Sequence, residues 1–202
     1  MKITIYTDGS SRGNPGKGGW GCVLITEHQP LAVSLQPVAT QKYEYGDEVI
    51  ELGGREDYTT NNRMELMGAI KGLQACSLQP VAFSQNAPMK GEAFRGGELQ
   101  AVEVLTDSEY VRKGMTEWIS GWVKKGWKTS TKKDVLNKDL WEQLLMEEAR
   151  LKSSGVHVTW KYVQAHVGIK GNERADEIAT ACADNASHLQ LYRGSKSEYP
   201  YI

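Results

Sequence analysis

The stretch YTDGSSRGNPGKGGWG, residues 6–21, ends a run of alternating residues with an acid and then spends six glycines in a short space. A phosphate-cradling loop needs fixed glycine spacing and a helix directly after it, whose unpaired N–H groups hold the anion. Neither condition is met. Gly9, Gly13, Gly16, Gly18, Gly19 and Gly21 fit no dinucleotide fingerprint, and Lys17 is followed by Gly18 rather than Ser or Thr. The next residues, WGCVLI, are apolar and β-branched and read as a strand. The stretch is therefore predicted to be a β-hairpin turning at Asn14, Pro15 and Gly16. That places Asp8 at the end of the first strand, where an aspartate also has the ordinary role of opening a turn.

Outward from this hairpin, strands are predicted at Ile3–Thr7, Trp20–Ile25 and around Val49–Leu52, with YEYGDEV as an extension of the last. TTNNRMELMGAIKGLQAC, from Thr59, reads as a helix: Leu66, Ala69, Ile70 and Leu73 recur at i, i+3, i+4, i+7, and Thr60 to Asn62 supply a cap. The Gly-, Pro- and Gln-rich residues between Ser77 and Gln100 form a long excursion with no assigned role. ELQAVEVLTDS returns to strand and again ends on an acid, Asp107. Helices follow in SEYVRKGMTEWISGWVKK, broken near Gly114, and in NKDLWEQLLMEEARLKSSG, stopped by Gly155. VHVTWKYV alternates as a strand, QAHVGIKG is a loop, and NERADEIATACA is a last amphipathic helix. Strands first, then strand–helix alternation, describe an α/β fold: a mixed sheet with helices on its faces. The expected organisation is one domain over 1–186, with a polar tail at 187–202.

The chain has 202 residues and a formal net charge of −1, enough for one well-filled core. No apolar run reaches membrane-spanning length, and Lys2 leads into a strand pattern instead of a leader. Cys22, Cys76 and Cys182 are far apart and set among apolar residues, as reduced structural thiols are; a cytoplasmic monomer is expected. The near-neutral total hides a basic run. Arg112, Lys113, Lys124, Lys125, Lys128, Lys132 and Lys133 face only Glu117 in the same interval. A local patch of this kind is an electrostatic footprint for nucleic acid.

Four acids sit where ligands gather in such sheets, at the carboxyl ends of parallel strands and at helix starts. Asp8 and Asp107 end strands, and Glu65 and Asp176 lie early in helices. Taken singly, each has a structural role: Asp8 in a turn, Glu65 in a capping box with Asn62, Asp107 as a cap, Asp176 against a helix dipole. Taken together they repel one another unless cations join them, and an oxygen-rich carboxylate set suits magnesium or manganese.

TDGS..GNPG.GG.G, TTNNRMELM, TDSEYV, GW..KGWKT and H.G..GNERADEIA occur in this order between Met1 and Ala183, and the chain resembles type 1 ribonuclease H. The resemblance is to the bacterial-type catalytic domain alone, without a separate hybrid-binding domain. It implies a five-stranded mixed sheet with helices on both sides and Asp8, Glu65, Asp107 and Asp176 as catalytic metal ligands. It also implies His166 as a mobile loop histidine suited to proton transfer. The implied activity is endonucleolytic hydrolysis of the RNA strand of an RNA–DNA hybrid with two Mg2+ ions, Mn2+ being the alternative, to 5′-phosphate and 3′-hydroxyl products.

A hybrid is marked by the 2′-hydroxyls in its minor groove. By resemblance, Gly9, Ser10, Asn61 and Asn62 reach them, and Asn14 and Thr60 grip a phosphate of the DNA strand. Trp122, Lys124, Lys125 and Lys128 of the basic segment hold that strand, with Trp118 and Trp141 assigned to the core. Glu109 departs from the family's usual Gln and brings a negative charge beside the substrate. Two other readings of the same fold are a hybrid-binding module without catalysis and a nuclease that cuts DNA, such as a junction resolvase or integrase.

Overall fold

In the computed structural model, which describes residues 1–28, 47–77 and 99–201, the opening hairpin forms as the sequence predicts. β1 (Lys2–Gly13) and β2 (Gly16–Glu27) pair antiparallel, with Asn14 and Pro15 at the turn. β3 (Glu48–Thr59) pairs antiparallel with β2; β4 (Ala101–Thr106) runs parallel to β1, and β5 (His157–Tyr162) parallel to β4. The first three strands are each 12 residues long, well beyond the predicted spans. Their glycines, which read as turn residues, pair across the sheet instead: Gly21 stands opposite Asp8, and Gly19 opposite Ser10. The excursion between Ser77 and Gln100 lies, through residues 78–98, outside the described residues, as does most of YEYGDEV.

The expected five strands are joined by a sixth, β6 (Arg193–Ser195), which corrects the strand count and gives the order β5-β4-β1-β2-β3-β6. RGS carries no alternation, so nothing local marks it as a strand; its state is decided by the free edge of β3, where Val49 meets Gly194. The same tail brings Tyr199 into the core at 4% exposure.

α1 (Asn61–Ser77) forms where the periodicity places it, and Leu66, Ala69, Ile70 and Leu73 are fully buried. Each large side chain so buried contributes about 1.5–3 kcal/mol. The carbonyl of Thr60 accepts from the N–H groups of Arg63 and Met64, so the helix starts one residue after Thr60. Glu65 therefore sits in the second turn, and Asn62 does not form the capping box with it. Asp107 is likewise not a cap: Ser108 takes that place before α2 (Glu109–Lys113), its hydroxyl accepting from the Val111 N–H at 3.4 Å. The predicted break at Gly114 appears as one π turn, Gly114–Trp118, before α3 (Ile119–Lys124). The cause is packing, since a Cβ on Gly114 would lie 2.0 Å from the Trp141 ring. α4 (Lys138–Ser153) and α5 (Lys170–Asp184) complete the helices named here.

Consecutive residues of β2 feed two cores. Cys22 and Leu24 join Ile3, Ile5, Val102, Leu66, Ile70 and Trp141 on one side of the sheet; Val23 and Ile25 join Ala175, Ile178 and Tyr199 on the other. Beside the second core lies a buried ion pair that the sequence did not reveal. Arg174 on α5 donates two hydrogen bonds to Glu51 on β3, at 2.7 and 2.9 Å. Glu51 also accepts from the Tyr199 hydroxyl at 2.6 Å and the Tyr192 N–H at 2.9 Å. No helix among the described residues is long and apolar enough to cross a membrane.

Candidate active site

β1 and β4 are parallel neighbours in which Thr7 is level with Thr106. Asp8 does not end its strand, as the sequence suggested, but lies mid-way along β1 opposite Gly21; because β4 stops at Thr106, Asp107 comes to stand beside it. Two close approaches bring helices to this point. A Cβ on Gly9 would lie 2.2 Å from the Glu65 backbone nitrogen, so α1 rests directly on β1 there. A Cβ on Gly21, opposite Asp8, would lie 2.3 Å from the Ala175 carbonyl oxygen, so α5 rests on β2 one residue before Asp176. Glycine at both positions removes the side chain that would hold the helices off.

The result is a carboxylate cluster. Asp8, Glu65 and Asp107 each bring an oxygen within 4.8 Å of the others. Asp176 lies outside that tightest group but stands within hydrogen-bonding reach of Asp8. Asp8 is 6% and Glu65 6% exposed, and one Glu65 oxygen, Oε2, is buried without a hydrogen-bond partner. Burial, then the charges of Asp107 and Asp176, push the Asp8 carboxyl up to about 8, against the opposing pull of the Gly9 N–H at 2.7 Å. Burial and the neighbouring Asp8 and Asp107 push Glu65 well above the ordinary carboxylate range. Carboxylates held together at that electrostatic cost, with an orphaned oxygen among them, fit divalent cations as the missing positive charge.

The other predicted residues are spread more widely. His166 is exposed in the loop after β5, in the left-handed region at φ 54°, and the loop is tied to α5 by the Gly168 N–H donating to Glu173 at 2.9 Å. Asn61 donates to the other Glu65 oxygen at 3.2 Å; Asn62 is exposed beside it. Ser10 accepts from Arg12 at 3.1 Å. Gly9 is buried beneath α1, while Asn14 is exposed at the hairpin tip, six residues and roughly 20 Å along the strand from Asp8.

In the basic segment, Trp141 is fully buried, as expected. Trp118 is not: it is half-buried and packs on Trp122, ring centroids 5.6 Å apart. Trp122 bridges outward from Trp141, 5.5 Å away. Lys124 and Lys125 are exposed, with no ion-pair partner among the described residues, whereas Lys128 pairs with Asp134. The charge of Glu109 is taken up on its own helix by Lys113 at 3.0 Å and Arg112 at 3.1 Å.

One site residue escaped the sequence reading. Asn172, 2% exposed, donates its side-chain N–H to Asp107 Oδ2 at 2.9 Å. Its signal was its place four residues before Asp176, one turn away on the same helix face.

Because α1 rests on Gly9, Gly9→Ala forces the helix away from β1 and is expected to destabilise by about 1–3 kcal/mol. It should also separate Glu65 from Asp8, so activity should fall by more than the folded fraction does. Thermal melts and cleavage rates measured on the same samples check this.

The family model for RNase H matches residues 1–184 of the chain. Ribonuclease H of Chromohalobacter salexigens is 42% identical over 187 residues, 91% of this chain and 85% of that protein. Ribonuclease H of Marinobacter nauticus is 44% identical over 178 residues, 88% of this chain and 91% of that protein. Among solved structures, LC9-RNase H1, a type 1 RNase H with the type 2 active-site motif, superposes with a TM-score of 0.66 at 25% identity, covering 96% of this chain and 77% of that one. LC11-RNase H1, solved in complex with an RNA/DNA hybrid, shares the fold with a TM-score of 0.53 at 22% identity, over 92% of this chain and 99% of that one. With its carboxylate cluster set where β1 passes the end of β4 and its sequence matched from the first residue to the end of α5, the chain belongs to the ribonuclease H family.

Proposed function

We propose that the protein is an endoribonuclease that hydrolyses the RNA strand of RNA–DNA hybrids with two divalent cations, Mg2+ or Mn2+, leaving 5′-phosphate and 3′-hydroxyl ends. The observation that carries this reading is the meeting of Asp8, Glu65 and Asp107 within 4.8 Å, with Asp176 beside Asp8. The chemistry that such a cation pair would supply is activation of an attacking water and stabilisation of the leaving oxygen. Asp8, reached by all three other acids, is assigned as the bridging ligand. Glu65, Asp107 and Asp176 are assigned as the remaining ligands, and the two helices and two strands that carry the four acids fix the geometry before substrate arrives. His166, on an exposed loop beside α5, is assigned the proton of the leaving group. Pure binding gains nothing from clustered acids, which sets the non-catalytic reading aside.

Selection of a hybrid is assigned to Gly9, Ser10, Asn61 and Asn62 in the minor groove and to Asn14 and Thr60 on a phosphate. Trp122, Lys124, Lys125 and Lys128 are assigned to the DNA strand. Of these, Lys124 and Lys125 have their charges unpaired among the described residues. The double variant Lys124→Ala/Lys125→Ala is expected to weaken hybrid binding and to lower the slope of log affinity against log salt by about one for each phosphate no longer neutralised. Its kcat should remain unchanged. Binding isotherms at several salt concentrations give the slope.

Labelled hybrid, double-stranded RNA, double-stranded DNA and a four-way junction, each incubated with Mg2+ or Mn2+, test the whole reading. Wild type should cut only the RNA strand of the hybrid, and Asp107→Asn should cut nothing. Binding without cleavage by wild type, or cleavage of DNA, overturns it.

A further inference from the structure

Asn172 makes one hydrogen bond that matters to the carboxylate cluster and leaves one polar atom unused. Its Nδ2 donates to Asp107 Oδ2 at 2.9 Å. Its Oδ1 is buried and has no hydrogen-bond partner, in a side chain only 2% exposed. An unsatisfied amide oxygen in the interior costs about 1–3 kcal/mol, so a fold that keeps one needs an occupant for it in some working state. The carboxylate cluster points to that occupant. Asp107 shares its cluster with Asp8 and Glu65, and Glu65 Oε2 is orphaned in the same way. Asp107 links the two: it accepts from Asn172 and shares its cluster with Glu65, and the cluster is rich in acceptors.

We infer that Asn172 is a positioning residue of the metal centre: its amide N–H fixes the rotamer of Asp107, and its amide oxygen accepts a hydrogen bond from water that enters with the cation. This rests on the reading of the cluster as a cation site. Asp107 needs such a guide because it lies just past the end of β4, where strand pairing no longer holds the backbone. Asn suits the task better than a charged residue. A lysine would occupy the cation's place, and a further carboxylate would add repulsion to a cluster already crowded with acids. The position is also fixed independently of Asp107. Asn172 stands in the first turn of α5, and its neighbour Gly171 packs on the Tyr6 ring of β1, where a Cβ would lie 2.5 Å away.

Groups that orient ligating carboxylates typically change metal affinity or activity 10–100-fold when removed. Asn172→Ala and the similarly sized Asn172→Leu are therefore expected to weaken Mn2+ binding to the free protein by about 10-fold or more. Calorimetry without substrate measures this. The Mg2+ concentration for half-maximal cleavage should rise by a similar factor, while KM for hybrid at saturating metal stays put. A merely structural role would lower the melting temperature and leave the isotherm of the folded fraction unchanged. A second measurement needs no variant. In the wild-type protein, the Asn172 side-chain amide resonances should shift on Mg2+ titration with the same midpoint as the heat signal. If either variant folds and binds Mn2+ within twofold of wild type, or the Asn172 amide is indifferent to metal, the inference is overturned. If wild type itself binds no metal, it is the cation reading of the whole cluster that fails.

Discussion

Asp8→Asn is expected to abolish cleavage and, in metal-free buffer, to make the protein more stable. The first effect follows from the position of Asp8 among all the other acids: under the proposed two-cation chemistry its loss would remove the charge shared by both cations, and a drop of at least roughly 10³-fold in rate, or about 4 kcal/mol of transition-state stabilisation, is expected. The second follows from its surroundings. Burial, then the repulsion of Asp107 and Asp176, push its carboxyl up to about 8, so at neutral pH the folded protein holds a proton there that the unfolded chain releases. Between about pH 4 and 8 the native state binds more protons than the unfolded state, and stability must fall as pH rises, by up to about 1.4 kcal/mol per unit for this group. Glu65, raised for the same reasons, steepens the trend. Asparagine keeps an acceptor for the Gly9 N–H and has no charge to repel. Its melting temperature at pH 8 should exceed that of wild type by several degrees, at about 2–4 °C per kcal/mol for a chain of this size. Saturating Mg2+ should flatten the pH slope of wild type and leave that of Asp8→Asn unaffected. Thermal melts from pH 5 to 9, with Mg2+ and with chelator, provide the measurement. A variant less stable than wild type under every condition would mean that the carboxylates are not strained by one another.

Arg174→Ala acts in the opposite sense. Glu51, whose side chain is fully buried, would lose both hydrogen bonds and the charge of its partner, and breaking a buried pair from one side costs about 3–5 kcal/mol. A fall in melting temperature of roughly 10 °C or more is expected. Arg174→Lys should fall between, since an ammonium cannot reproduce the two-pronged guanidinium contact. Replacing the pair together, as Arg174→Met with Glu51→Leu, should recover much of the loss. The pH signature differs as well. Burial alone would push the Glu51 carboxyl up, but hydrogen bonds from Arg174, the Tyr199 hydroxyl and the Tyr192 N–H outweigh it and hold it below its ordinary value. Its contribution is complete above the ordinary carboxylate pKa and is lost as pH falls through the depressed folded value. Metal-free wild type should thus be most stable in mildly acidic buffer, undermined from above by the active-site acids and from below by Glu51. In Arg174→Ala the acid limb should shrink. Equal acid sensitivity in variant and wild type would place the acid-labile group elsewhere.

Both predictions involve residues that the sequence presented unequally. The hairpin, the buried stripe of α1 and the break at Gly114 were legible because each is written in neighbouring residues: a Pro-Gly turn, a 3.6-residue repeat, a lone glycine. Asp107 was legible as a strand end; Asp8, read as the end of the first strand, lies within a strand that runs on to Gly13, and it meets Asp107 because β4 is the shorter of the two. The local role of Asp107 was misread because a cap one residue away competed. Ser108 and not Asp107 starts α2, because a hydroxyl already aimed at the Val111 N–H leaves the carboxylate to turn inward. Glu109, an apparent obstacle to the substrate in the sequence, is compensated by Arg112 and Lys113 on the helix it begins. The Asn172 contact to Asp107 spans 65 residues and the Arg174 contact to Glu51 spans 123; helix spacing could put Asn172 on the face of Asp176, but no local pattern could name the strand residue that either side chain meets.

The sequence by itself determined the alternation of strands and helices, the apolar faces that drive their packing, and the place of Asp107 just past a strand, because these depend on periods of two and 3.6 along one chain. Only the tertiary structure decided that glycines at 9 and 21 are seats for helices, that RGS near the carboxyl end is an edge strand, and that Glu51 is a buried ion and not part of an acidic surface. Those outcomes depend on which groups remain unpaired or unfilled after the rest has packed, and that is a property of distances across the fold, not of order along the chain.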